Sequence, residues 1–149
     1  MPIGFRPLHD SFGAEVFGVD IAHPLDAATF AAIEDAWRRY SILLFRDVRM
    51  TPSEHIAFTR RLGPLHIMEP LEFNLAGHPE IFIVSNVEEG GKAVGLKRAG
   101  WGWHSDGEDK AIPNAGSFLY AHEVPPEGAI RCLPTPTRRL PSFRPTCSA

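Results

Sequence analysis

Every acidic residue of this chain stands before residue 129. The segment 1–128 holds all 18 Asp and Glu and eleven of the 15 Lys and Arg, so its balance is 11 − 18 = −7. The segment 129–149 holds four arginines, four prolines, both cysteines (Cys132 and Cys147) and no acid. A shift this abrupt separates a folding unit from a tail. The expected organisation is one domain over residues 1–128, followed by a divergent and disordered segment over 129–149. The tail shows no apolar period, and its prolines oppose regular structure.

The front segment is long enough for a single domain with a core. Across the whole chain, hydrophobic residues make up 44% and charged residues 22%, ordinary values for a soluble globular protein. A net charge of −3 gives no reason to expect nucleic acid or an anionic membrane as partner. No apolar run approaches the roughly 20 residues of a membrane span. The opening MPIGFRPLHDSFG has no charged stretch followed by an apolar one, so no signal peptide is expected. The implied location is cytoplasmic, where both cysteines would stay reduced.

Local patterns give most of the elements. IGFRPL and GAEVFGVDI are short, β-branched and aromatic, and read as an opening pair of strands. PLDAATFAAIEDAWRRY reads as a helix capped by Asp26, with Phe30, Ile33, Trp37 and Tyr40 at spacings of three and four. SILLFR reads as a buried strand. TPSEHIAFTRRLG has Thr51 at the cap, Pro52 at the first helical position, Glu54 closing a capping box and Gly63 as the stop. EIFIVSN and AGSFLYAHEV read as further strands. Between them VEEGGKAVGLKRAGWG (87–102) reads as a glycine-rich lid-like loop. The arginine pairs at 38–39 and 60–61 suit helix C-terminal ends and need no other role.

That loop runs into WHSDG at 103–107. On a strand, residues two apart share a face, so His104 and Asp106 can converge on one cation. An imidazole with a carboxylate suits Fe(II), Zn(II) or Mn(II). Two histidines and a carboxylate on one face leave open positions for substrates. Taken alone, His-x-Asp is common, and an isolated instance is more often a surface turn than a ligand pair. Trp101 and Trp103 can wall the site or serve as core aromatics. Lys97 and Arg98 can meet an anionic substrate or lie in solvent. His55 reads as exposed and His122 as a sheet-surface residue.

Four stretches together resemble the taurine dioxygenase and 2,4-dichlorophenoxyacetate dioxygenase (TauD/TfdA) family. They are FGAEVFGVDIAHPLD, ILLFRDVRMTPSEHIAFTRRLGPLH, WHSDG and SFLYAHEVPPEG, in the family's order and spacing. The resemblance covers residues 3–128. It implies an α+β, mainly β fold, a partial double-stranded β-helix (jelly roll) with flanking helices, truncated. It implies Fe(II) held by His104 and Asp106, with 2-oxoglutarate as cosubstrate and O2 as oxidant. The family reaction hydroxylates a small organic substrate and releases succinate and CO2.

Two departures from the family pattern matter. Taurine enzymes carry Leu-His-Ile-His, whose second His contacts substrate, where this chain has Leu65-His66-Ile67-Met68. A thioether donates no hydrogen bond, so taurine is disfavoured and an acid or another small organic substrate is expected. After Gly128 the family continues Gly-Asp-Thr-Leu, whereas this chain reads Ala129-Ile130-Arg131. The second iron-binding His and the Arg that pairs with 2-oxoglutarate lie beyond that point in the family. Back-translated with G/C-rich codons and read two bases out of frame, Ala129–Arg139 gives Asp-Thr-Leu-Pro-Ala-Asp-Thr-Tyr-Ala-Ala, which resembles the family's continuation. A base lost at the Gly128 codon would account for the tail. The expected chain is therefore poorly active or inactive. The competing readings are a non-catalytic remnant or partner-dependent fragment, and a zinc hydrolase that recruits another local histidine such as His66. Oligomeric state is open.

Overall fold

The computed structural model describes residues 2–97, 99–100, 102, 104, 106–107, 110–124 and 126–127. They fall into two compact units. The first comprises Met1–Val19 and Leu25–Asp47, with the described residues from Leu119 onward. The second comprises Asp20–Pro24 and Val48–Phe118.

The first unit is a three-stranded sheet with one helix. Strand β1 (Gly4–Pro7) runs antiparallel to β2 (Ala14–Phe17), which runs parallel to β3 (Leu43–Phe45). Helix α1 (Ala27–Tyr40) makes the crossover from β2 to β3. Its start is fixed as the sequence suggested. The Asp26 carboxylate accepts from Thr29 N at 2.9 Å and from Thr29 Oγ1 at 2.7 Å. The Thr29 hydroxyl, with the backbone bond behind it, holds that carboxyl below its usual pKa. Phe30, Ile33 and Ala36 form the helix's buried stripe beside Ala14 and Val16 of the same unit's core. Ala36, rather than Trp37, takes the third buried position.

Strand β2 is the central strand, and it buries a carboxylate. Glu15 stands opposite Arg6 in the β1–β2 register and accepts from Arg6 Nη2 at 2.8 Å. Arg46, just after β3, approaches the other oxygen at 3.5 Å. The Arg6 hydrogen bond leads in lowering the Glu15 pKa, and the charges of Arg6 and Arg46 add to it. Paired in this way, a charge is tolerated in a buried strand position. Strand β3, expected to be buried, is half-exposed along its length.

The second unit begins with α2 (Pro52–Leu62), and its capping box forms in full. Thr51 N donates to Glu54 Oε2 at 2.6 Å, and Glu54 N donates to Thr51 Oγ1 at 3.3 Å. The Thr51 backbone donor holds the Glu54 carboxyl below its usual pKa. A single 3₁₀ turn (Leu71–Phe73) leads into β4 (Asn74–Leu75), which pairs antiparallel with β5 (His78–Phe82). Arg60 of α2 reaches Glu80 of β5 at 3.1 Å. The buried apolar residues here are Ile21, Met50 and Phe58.

Three expectations need correction. The strand read at EIFIVSN starts earlier and stops at Phe82, and Val84 makes only an isolated bridge to Leu96. The 87–102 loop contains a hairpin, with β6 (Glu88–Glu89) antiparallel to β7 (Lys92–Ala93). Gly90 and Gly91 both take positive φ, 56° and 78°, the conformation a two-residue turn of right-twisted strands demands. Residues 115–124 form no strand, because none of the described residues offers them a ladder of backbone partners. Leu119 and Val124 in that stretch are exposed.

Candidate metal site

His104 lies in irregular backbone and Asp106 in a turn, not on the strand expected for them. Their side chains nevertheless converge, with His104 Nε2 3.4 Å from Asp106 Oδ1. Same-face alternation along a strand is thus not what joins them. Two hydrogen bonds do that instead. His104 Nδ1 stands 2.8 Å from the carbonyl oxygen of Gly102. A carbonyl can only accept, so Nδ1 carries a proton, and whenever the ring is neutral Nε2 is the nitrogen with the lone pair. On the other side, Ser117 Oγ donates to Asp106 Oδ2 at 2.5 Å. Both ligand-type side chains are about half exposed, at 46% and 47%.

The backbone shapes the turn around this pair. Gly107 has φ 74°, and a Cβ there would meet Asn114 Nδ2 at 2.7 Å. Lys110 N donates to the Gly107 carbonyl at 3.3 Å. Gly107 is therefore required both for its conformation and for the space that Asn114 fills.

The geometry suits a divalent cation. Two donors bound to one ion at about 2.1 Å, and roughly at right to tetrahedral angles, sit about 3.0–3.4 Å apart. A neutral imidazole nitrogen and a carboxylate oxygen both accept, so a proton or a cation placed between them would satisfy both. Among the described residues no group of three His, Cys, Asp or Glu comes together. His66 is exposed and does not join the pair. The local third ligand that a zinc hydrolase would need is thus missing among the described residues.

The remaining site expectations divide. Lys97 is committed to Glu88 across the hairpin, and that lysine holds the Glu88 carboxyl below its usual pKa. Met68 is exposed, and its carbonyl accepts from Asn74 Nδ2 at 3.1 Å. His55, expected to be exposed, is half-buried, with its ring 4.9 Å from that of Phe118. His122 lies on no sheet and packs edge-on against Tyr120 at 4.8 Å. Arg98, Trp101, Trp103 and residues 128–149 lie outside the described residues. Sequence reading missed Ser117 and Glu15. Glu15 had a readable signal, since an acid inside an apolar strand needs a partner and Arg6 precedes it in the paired strand.

Residues 4–129 match the family described as taurine catabolism dioxygenase TauD, TfdA family. The chain belongs to this family. It is 33% identical to (S)-phenoxypropionate/alpha-ketoglutarate-dioxygenase of Sphingobium herbicidovorans, over 82% of this chain and 41% of that protein. It is 34% identical to pentalenolactone F synthase of Streptomyces arenae, over 96% of this chain and 51% of the relative. The alpha-ketoglutarate-dependent 2,4-dichlorophenoxyacetate dioxygenase of Cupriavidus pinatubonensis is 30% identical over 86% of this chain and 48% of its own length. A crystal structure of a taurine dioxygenase from Burkholderia xenovorans superposes with a TM-score of 0.52 at 34% identity, over 54% of this chain and 29% of that one. The chain therefore spans about half or less of the length of the curated relatives it matches. Two of these relatives are named as dioxygenases that use alpha-ketoglutarate (2-oxoglutarate), and the fold shared with this TauD/TfdA chain is β-rich. No helix among the described residues is long and apolar enough to cross a membrane.

Proposed function

We propose that this chain contributes two ligands, His104 and Asp106, to an Fe(II) site for 2-oxoglutarate-dependent oxidation of a small organic acid by O2. The observation that carries the reading is the 3.4 Å approach of His104 Nε2 to Asp106 Oδ1 inside the family-matched segment. Bound there, the metal would supply the site at which 2-oxoglutarate and O2 meet. This chain's own residues hold and aim the two ligands. Gly102 keeps the proton on Nδ1, so that Nε2 faces the cation. An acidic substrate is favoured because two of the relatives are named for phenoxyalkanoic acids. Met68, standing where taurine enzymes place a second His, argues against a sulfonate held by that position.

In the same reading the strands described above are the opening part of a jelly roll, and the protein works in the cytoplasm. Residues 1–128 form the dioxygenase segment, and 129–149 stand apart from it. The family match stops at residue 129, where the composition breaks, which supports that division. Sequencing the coding DNA from the Gly128 codon tests the frame-shift origin. A region in which no single-base change restores a family-like frame overturns it.

Residues 1–149 alone are expected to give little succinate from 2-oxoglutarate with Fe(II) and ascorbate. Robust turnover by the purified chain would sink that expectation. A second reading, a non-catalytic or partner-dependent fragment, is favoured by the exposure of Ile112, Leu119 and Val124. Aggregation in size-exclusion chromatography, with weak near-UV circular dichroism, supports this second reading. A monodisperse, well-packed monomer opposes it.

A further inference from the structure

We infer that Ser117 is a positioning residue for the metal ligand Asp106. Its hydroxyl ties down one carboxylate oxygen and leaves the other for a cation. The inference rests on the metal reading above and adds to it the group that aims the carboxylate.

An aspartate carboxylate has two equivalent oxygens and rotates freely about its last bond when exposed. Here the two oxygens have different surroundings. Oδ2 accepts from Ser117 Oγ, and Oδ1 faces His104 Nε2. The hydroxyl donor engages one lone pair of Oδ2 and draws that oxygen away from gripping an ion together with Oδ1. Asp106 is thereby set to bind through Oδ1 alone, which keeps more positions open on the metal.

Ser117 can do this because its neighbour is anchored. The Phe118 ring packs 5.3 Å from Phe58 and 4.9 Å from His55, both on α2. Phe58 is buried, and α2 is pinned at its start by the Thr51–Glu54 capping box. A continuous chain of contacts within one unit therefore runs from a rigid helix, through Phe118 and Ser117, to Asp106. Eleven residues separate Ser117 from Asp106 in sequence, so the link is tertiary and not a local turn contact.

The test is a Co(II) titration of the full 149-residue chain, followed by its visible absorption bands. Wild type is compared with Asp106→Ala, Ser117→Ala and the near-isosteric pair Ser117→Thr and Ser117→Val. Far-UV circular dichroism serves as the control for folding. Losing the hydroxyl, in Ser117→Ala and Ser117→Val, is expected to raise the Co(II) Kd about ten-fold or more and to alter the bands. Ser117→Thr keeps the hydroxyl and should stay within about two-fold of wild type, against the ten-fold or greater loss expected without it. Asp106→Ala should abolish the bands. If Asp106→Ala and wild type titrate identically, the metal reading itself falls, and the Ser117 assignment falls with it. If Asp106→Ala loses the ion while Ser117→Val matches Ser117→Thr in affinity and spectrum, the metal reading stands and the Ser117 assignment is overturned. The Thr/Val comparison decides between these outcomes even where Ser117→Ala fails to fold.

Discussion

In the β1–β2–β3 sheet, position is set by backbone ladders and a buried helix face. Around His104 and Asp106 it is set by two side-chain hydrogen bonds in an exposed turn. Neither region borrows the other's means. Ala14 and Val16 of the sheet and Phe30 and Ile33 of the helix are all buried, and hydrophobic burial there fixes the geometry. The His-Asp turn has ligand-type side chains about half in water, so burial contributes little and each hydrogen bond counts for more. The contrast separates what holds the fold from what holds the chemistry, and it makes opposite predictions for substitutions in the two places.

The largest expected effect is in the first region. Ile33 is 2% exposed. Ile33→Ala should cost about 2–5 kcal/mol in urea-induced unfolding, from lost transfer energy and the cavity left behind. Co(II) affinity measured under conditions where the variant remains folded should not change. A large change in affinity would mean that the two regions are not separable.

An intermediate effect belongs to the second region. Gly107→Ala forces a side chain into a left-handed conformation and against Asn114, a strain of about 1–3 kcal/mol. The turn can relax by giving up its ligand geometry, so the loss should appear as weakened Co(II) binding with a nearly unchanged urea midpoint. Unchanged binding would show that the turn's backbone does not set the ligands.

The smallest effect is a slope. The folded-state pKa of Glu15 is lowered from 4.5. A depressed carboxylate pKa contributes stability that is present above the unfolded value and is lost as pH falls through the folded one. Urea midpoints of wild type should therefore decline as pH drops below about 4.5. Glu15→Gln should flatten that part of the profile. An unflattened decline would shift the acid sensitivity to another carboxylate, such as Asp26 or Glu54.

What was legible in the sequence was local. Asp26 with Thr29, and Thr51 with Glu54, are three residues apart, so their caps are written in short strings. The β1–β2 pair was readable for the same reason. The hairpin at 88–93 was equally local. Its Gly-Gly pair reads as a flexible loop, although two left-handed residues between short polar strands are a hairpin signal. The site was half legible. WHSDG names the two proposed ligands, yet the strand assumed for them is not what brings them together. The Ser117 contact depends on the path of an eleven-residue segment, and no periodicity encodes that. The strand read at 115–124 failed because apolar composition describes a residue's preference, while a strand also needs a neighbour.

The Gly90–Gly91 turn has a practical consequence. Nothing stands within 4 Å of the place a Cβ would occupy at either glycine. Exposed turns of this kind tolerate inserted sequence. A short tetracysteine tag or a small fluorescent module spliced between Gly90 and Gly91 should therefore leave the fold intact. It would place an optical reporter on the hairpin that Glu88 and Lys97 close at its base.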